Sequence, residues 1–162
     1  MAISTGFPER AETLSVTRLV AECCGSVCRP DVLPEGKRLA ARSFVDAPLL
    51  HTETRADAWP NWLKMVGNEE VDPSLGQQYE HFYFKLQAAV SGLGLAIGSH
   101  PLVVDDLISG QLLAPFGFVE SGNHNYFSCR GERANDPRID TFRIWLVVEA
   151  DSFIASGQLA TN

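Results

Sequence analysis

Residues 79–116, YEHFYFKLQAAVSGLGLAIGSHPLVVDDLISGQLLAPF, decide the fold. Their spacing predicts a strand end, a helix, a buried strand, a second helix and a further strand, with glycine near most joints. Phe82, Leu86, Ala89 and Val90 fall at i, i+4, i+7 and i+8, one face of an amphipathic helix. Gly92 follows where a left-handed C-terminal cap belongs. Residues 93–97, LGLAI, form a nearly unbroken apolar run, as a parallel strand covered on both faces requires. Ser99 is placed to cap the next helix, Pro101 suits its first turn, and Asp105 and Asp106 face water. Gly110 ends that helix and Leu112-Leu113 opens another strand. Helix, strand, helix and strand with short joints make an α/β unit.

The flanks extend this pattern in both directions. Residues 75–79 read as the strand that leads into the central stretch, and the acidic segment 68–74 before it as an exposed loop. Asp57 is placed to cap a helix over 58–66, with Pro60 in its first turn, Gly67 closing it, and Trp59, Trp62, Leu63 and Val66 on roughly one face. Residues 48–51 make a short strand. Further back, Arg29-Pro30, Pro34 and Gly36 punctuate a loop with helical turns near 31–33 and 39–43. Residues 19–27 read as a strand, 11–17 remain undecided, and 1–3 look like the last turn of a strand. On the C-terminal side, residues 124–129 alternate as a strand and Asp136-Pro137 opens a final helix over 136–150. Ile139, Phe142, Trp145, Leu146 and Val148 give that helix a broad apolar stripe, and 151–162 turn small and polar, the composition of a flexible tail.

Composition limits the function classes. The chain has 162 residues, is 45% hydrophobic, and carries a net charge of −7. That size buries one ordinary core or two small lobes. With no cluster of Lys or Arg, so acidic a chain is a poor nucleic-acid binder by itself. No apolar run reaches the roughly 20 residues that span a bilayer, and the start, MAISTGFPERAE, lacks the basic and apolar regions of an export signal. The expected location is therefore the cytoplasm. Cys23, Cys24 and Cys28 match no zinc spacing and read as buried thiols in a strand, with Cys129 far away. No nucleophile elbow, P-loop, zinc-protease motif or dinucleotide loop is present. The adjacent acidic pairs Glu69-Glu70 and Asp105-Asp106 read as solvated surface, and His51, His81, His100 and His124 have no ligand spacing. The expectation is a protein that is not an enzyme, with no metal and no cofactor.

Taken in order, several segments resemble the effector-binding domain of LysR-type transcriptional regulators, closest to the branch that holds the glycine-cleavage activator and the β-lactamase regulators. They are Val27-Cys28-Arg29-Pro30, Leu49-Leu50-His51, Trp59-Pro60-Asn61-Trp62-Leu63, residues 86–97 (LQAAVSGLGLAI), Asp106-Leu107, Gly110-Gln111-Leu112, Pro115-Phe116 and Phe142-Arg143-Ile144-Trp145-Leu146. The resemblance runs from residue 2 to about 150. It implies an α/β, two-lobed domain like type II periplasmic binding proteins, with a small molecule in the interlobe cleft biasing a dimer or higher oligomer.

By that resemblance residues 1–28 are a remnant of lobe one with the first crossover strand, 29–122 are lobe two, 123–150 are the returning crossover strand and a lobe-one helix, and 151–162 are the tail. The family's helix-turn-helix and the first half of lobe one have no counterpart in this sequence. Lobe one is thus expected to be incomplete, and DNA to be reached only through a helix-turn-helix domain outside this chain. A helix beginning near His81 presents backbone N–H groups and a partial positive charge, suited to an anionic metabolite at a strand end. Tyr79, His81 and Phe82 are the residues expected to line the cleft, and Tyr126 matches another family cleft position. Exposed apolar surface where lobe one is missing, including Trp145 and Leu146, predicts self-association. The alternative readings are a free-standing cytoplasmic small-molecule-binding protein and a non-functional fragment of the same fold.

Overall fold

The computed structural model describes residues 1–9, 11–33 and 47–155. The helical turn expected at 39–43 and the tail from 156 onward lie outside the described residues. Two compact units emerge: Cys23–Val119, and Met1–Glu22 together with the described residues from Glu120 onward.

The unit Cys23–Val119 carries the predicted α/β stretch. Its sheet has the order β2-β5-β3-β4, where β2 is Leu14–Val27, β3 Leu49–Thr52, β4 Gln77–Tyr79 and β5 Leu95–Ser99. Strands β4, β3 and β5 are parallel, with Thr52 opposite Tyr79 and Leu50 opposite Ala96, while Cys24–Val27 of β2 runs antiparallel to β5. The unbroken apolar run reads correctly as a two-sided strand. Leu95 and Ile97 face helix α1 (Ala58–Met65) through Trp59, Trp62 and Leu63. Ala96 faces α2 (Phe82–Val90) and α3 (His100–Ile108) through Leu86, Ala89 and Val103.

Local chemistry shifts some boundaries. The central strand starts at Leu95, and Leu93 is exposed. Gly94 sits at φ +154°, and a Cβ there would collide with the carbonyl oxygen of Pro48. The strand expected at Leu112-Leu113 shrinks to one bridge, in which Cys28 N donates to Leu113 O at 3.1 Å and Leu113 N donates to Cys28 O at 2.9 Å. Pro115 and the positive-φ Gly117 turn the chain away at once. Asp57 and Ser99 occupy the N-cap positions of α1 and α3, yet neither side chain makes a cap hydrogen bond. The Asp57 carboxylate instead accepts from the Asn61 amide at 2.7 Å. The cysteines expected to be buried thiols are buried, and none is in a disulfide among the described residues.

The other unit contains β1 (Ala2–Thr5), the first part of β2, β6 (Val119–Arg130) and α4 (Pro137–Ala155). β1 pairs antiparallel with β6, Ile3 opposite Phe127. Phe127, Cys129 and Ile139 form its core, joined by Leu19, Phe142 and Leu146. Two strands outrun their expected limits. β2 begins at Leu14, since Leu14-Ser15-Val16-Thr17 alternates as a strand, and β6 begins at Val119 because Gly122 is accommodated within it at φ +81°. Helix α4 likewise runs to Ala155, past the tail boundary expected at 150. Leu146 and Phe153, seven residues apart and both half-buried, continue its inward face by two turns. The predicted stripe was too wide, however: Trp145 and Val148 are 52% and 54% exposed.

Candidate functional site

In Cys23–Val119 the carboxyl ends of the parallel strands are Thr52, Tyr79 and Ser99, each leading into a turn or helix. The carboxyl edge of a parallel sheet is where α/β folds hold ligands, because helix N-termini and loops converge there. Thr52 is buried, and its hydroxyl lies 3.1 Å from that of Thr54. Tyr79 packs beside Leu50 and Leu86, and its buried hydroxyl has no hydrogen-bond partner among the described residues. His81 occupies the N-cap of α2 in an extended conformation, φ −127° and ψ 148°, without a side-chain cap bond. The His81 ring lies 6.1 Å from that of Phe84. Phe82, Tyr83 and Phe84 are all exposed, Phe82 at 45%.

Three of the four candidate residues, Tyr79, His81 and Phe82, are thus brought together where β4 meets α2. Phe82 departs from expectation. It was placed on the inward face of α2, but that face begins one turn later with Lys85, Leu86, Ala88 and Ala89. The fourth candidate, Tyr126, belongs to the other unit, on β6 opposite Ser4. Its ring meets Phe7 edge-on at 5.5 Å and lies 6.3 Å from His124. A cavity of about 440 Å³ in the same unit, lined by Glu9, Thr13, Leu14, Arg130, Gly131 and Glu132, contains none of the four.

Sequence reading passed over Lys85. It is only 5% exposed, and its ammonium donates to the carbonyl oxygen of Ile97 at 2.7 Å. Burial pushes its amine down to about 8. The positive charge of Arg55 adds to the shift and Cys24 opposes it. The signal was in the spacing: Lys85 stands three residues after Phe82 and four before Ala89, on the stripe assigned to the core. His100, also buried, packs edge-on against Phe118 at 4.6 Å, and burial lowers its pKa. The His51 ring lies 2.9 Å from the carbonyl oxygen of Leu75. Among the described residues no three His, Cys, Asp or Glu side chains gather around a common point, and no described helix is long and apolar enough to cross a membrane.

Comparison with known proteins bears on what this edge is for. Residues 1–150 match the LysR substrate binding domain family. The HTH-type transcriptional regulator TrpI of Pseudomonas aeruginosa is 38% identical over 135 residues, which are 82% of this chain and 45% of the relative. The glycine cleavage system transcriptional activator of Escherichia coli is 30% identical over 139 residues, 85% of this chain and again 45% of the relative. The chain therefore spans a little under half the length of these curated relatives. Among solved structures, the AmpR effector binding domain from Citrobacter freundii superposes with a TM-score of 0.77 at 20% identity, covering 93% of this chain and 74% of that one. The effector domain of AmpR from Pseudomonas aeruginosa gives 0.78 at 23% identity, covering 97% and 74%. These likenesses establish an α/β effector-domain fold, like that of periplasmic binding proteins, as the sequence implied.

Proposed function

Since the chain belongs to the LysR substrate-binding-domain family, we propose that it is the effector-sensing part of a transcription regulator, binding a small anionic metabolite. Tyr79, His81 and Phe82 contribute to the binding site, and Tyr126 contributes from β6. The supporting observation is the meeting of β4 and α2, where a buried tyrosine hydroxyl without a partner among the described residues, an N-cap histidine without a cap bond and an exposed aromatic ring collect at a strand's carboxyl end. Buried polar groups are nearly always hydrogen-bonded in folded proteins, so a ligand's polar group fits beside the Tyr79 hydroxyl. The matched relatives are regulators, which accords with a sensor and not an enzyme.

In this reading residues 29–122 serve as lobe two, 1–28 and 123–150 belong to lobe one, and the chain works in the cytoplasm as a homodimer or higher oligomer. DNA contact belongs to a helix-turn-helix domain outside these 162 residues. Calorimetric titration with amino acids and amino-acid-derived carboxylates tests the sensor reading. At least one compound is expected to bind, with affinity reduced tenfold or more by His81→Ala and by Tyr126→Ala. Failure of the whole panel to bind would overturn the reading, and unchanged affinity in either variant removes that residue from the site. Sequencing about 500 bases upstream of the Met1 codon, room for ~150 residues, tests the regulator reading. An in-frame helix-turn-helix is expected there, and a stop codon contradicts it.

A further inference from the structure

We propose that Lys85 anchors the ligand of Cys23–Val119 by the ligand's carboxylate, the ammonium of this buried lysine forming with it the ion pair that the described residues do not supply. The proposal rests on the reading of this unit as a small-molecule-binding domain and names the residue that fixes ligand charge.

Four observations carry it. Lys85 lies in the first turns of α2, and helical side chains lean toward the helix N-terminus. Its ammonium reaches the carbonyl of Ile97, two residues before the carboxyl end of β5. The residue is 5% exposed, and its ammonium has three N–H donors, of which the Ile97 carbonyl at 2.7 Å takes one. No Asp or Glu pairs with it among the described residues, and the neighbouring charge that acts on it most is another cation, Arg55. Finally, the Tyr79 hydroxyl, packed in the same layer between the sheet and α2, is a second buried polar group awaiting a partner.

A solely structural role fits poorly with this arrangement. Replacing buried charges by apolar groups of similar size is commonly neutral or stabilising, so a lysine here is a cost to the fold that a ligand's negative charge would offset. The amine pushed down to about 8 is consistent with that cost. A carboxylate matches one ammonium in charge and accepts the two N–H bonds that Ile97 leaves, while a phosphate dianion carries twice the charge of this one ammonium.

Lysine content makes the test direct, because the chain has only Lys37, Lys64 and Lys85. In the full chain labelled with 13Cε-lysine, three side-chain signals are expected, and Lys85→Met identifies the third by its loss. The probes are benzoate, its neutral analogue benzamide, and inorganic phosphate, each raised to about 50 mM, well above the millimolar range of weak fragments. Benzoate is expected to move the Lys85 signal, benzamide to leave it in place, and Lys85→Met to weaken benzoate binding at least tenfold while melting no lower than the wild type. If benzoate shifts the amide signals of residues 79–84 but neither the Lys85 signal nor the affinity of the variant changes, the assignment of Lys85 falls and the binding-domain reading stands. A Lys85 signal moved by phosphate alone overturns the carboxylate. A Lys85 signal that no probe moves overturns the anchor, and the amino-acid panel then decides the sensor reading separately. Should Lys85→Met fail to fold, Lys37→Arg and Lys64→Arg assign the other two signals by their loss, and the remaining wild-type signal decides the question.

Discussion

At Lys85 the folded chain holds an amine that burial, and then the charge of Arg55, push from 10.5 down to about 8. Between those two pH values the unfolded chain keeps a proton that the folded chain has released, so Lys85 makes stability rise with pH across that window, by about 3 kcal/mol at full extent. Below pH 8 the whole cost of the buried charge is in place. Cys28 acts in the opposite sense: burial, with Asp31 adding, pushes its thiol from 9.0 up to about 11, and stability falls as pH rises between those values. Urea denaturation of the wild type and Lys85→Met at pH 7, 8, 9 and 10 separates the two, since Cys28 is common to both chains. The difference is expected to move in favour of the wild type above pH 8, and a pH-independent difference would show that the amine is not buried. This residue was legible in principle, standing on the apolar stripe of α2, but a helix wheel cannot tell a snorkelling lysine from one that is enclosed. Gly94 was illegible for another reason: what forbids a side chain there is the carbonyl of Pro48, far away in sequence.

Elements with strong local punctuation were read nearly as they stand. Helix α1 falls within a residue of its predicted end because Asp57, Pro60 and Gly67 bracket it and two tryptophans mark its inward face. Those tryptophans meet edge-on at 5.8 Å, both are 1% exposed, and the Trp59 indole donates to the Leu50 carbonyl at 3.0 Å. Trp59→Ala therefore opens a large cavity between α1 and β3 and should destabilise the fold by about 3–5 kcal/mol. Trp59→Phe, which keeps much of the packing and loses the indole donor, should cost less. Equilibrium urea denaturation checks the order, and equal losses in the two variants would contradict it. The long strands were harder to read. β2 takes in residues 14–17, which local pattern leaves undecided, and β6 passes through Ser121, Gly122 and Asn123 ahead of the strand expected at 124–129, both within a sheet whose cross-strand pairing a local window cannot see.

For the whole molecule, the division after Glu22 falls inside strand β2, and the one after Val119 falls at the start of β6, between the positive-φ glycines Gly117 and Gly122. Self-association has a physical basis in the side chains of α4. Ile144, Trp145 and Val148, at i, i+1 and i+4, are 51%, 52% and 54% exposed on one side of α4. Sedimentation velocity should show a concentration-dependent shift to faster species, reversed by Trp145→Glu. A monomer at all concentrations in the wild type would rule that out.

Such association should also stop at small numbers. The strands that end the sheet order are brief, β1 at four residues and β4 at three, and β4 turns Gln77 and Gln78 to solvent. Rims this short offer little backbone for another chain to extend. Copies that meet through side chains on α4 therefore find little template among the described strands from which to grow into amyloid-like fibres, and crowded protein is expected to form finite, reversible clusters that dilution disperses.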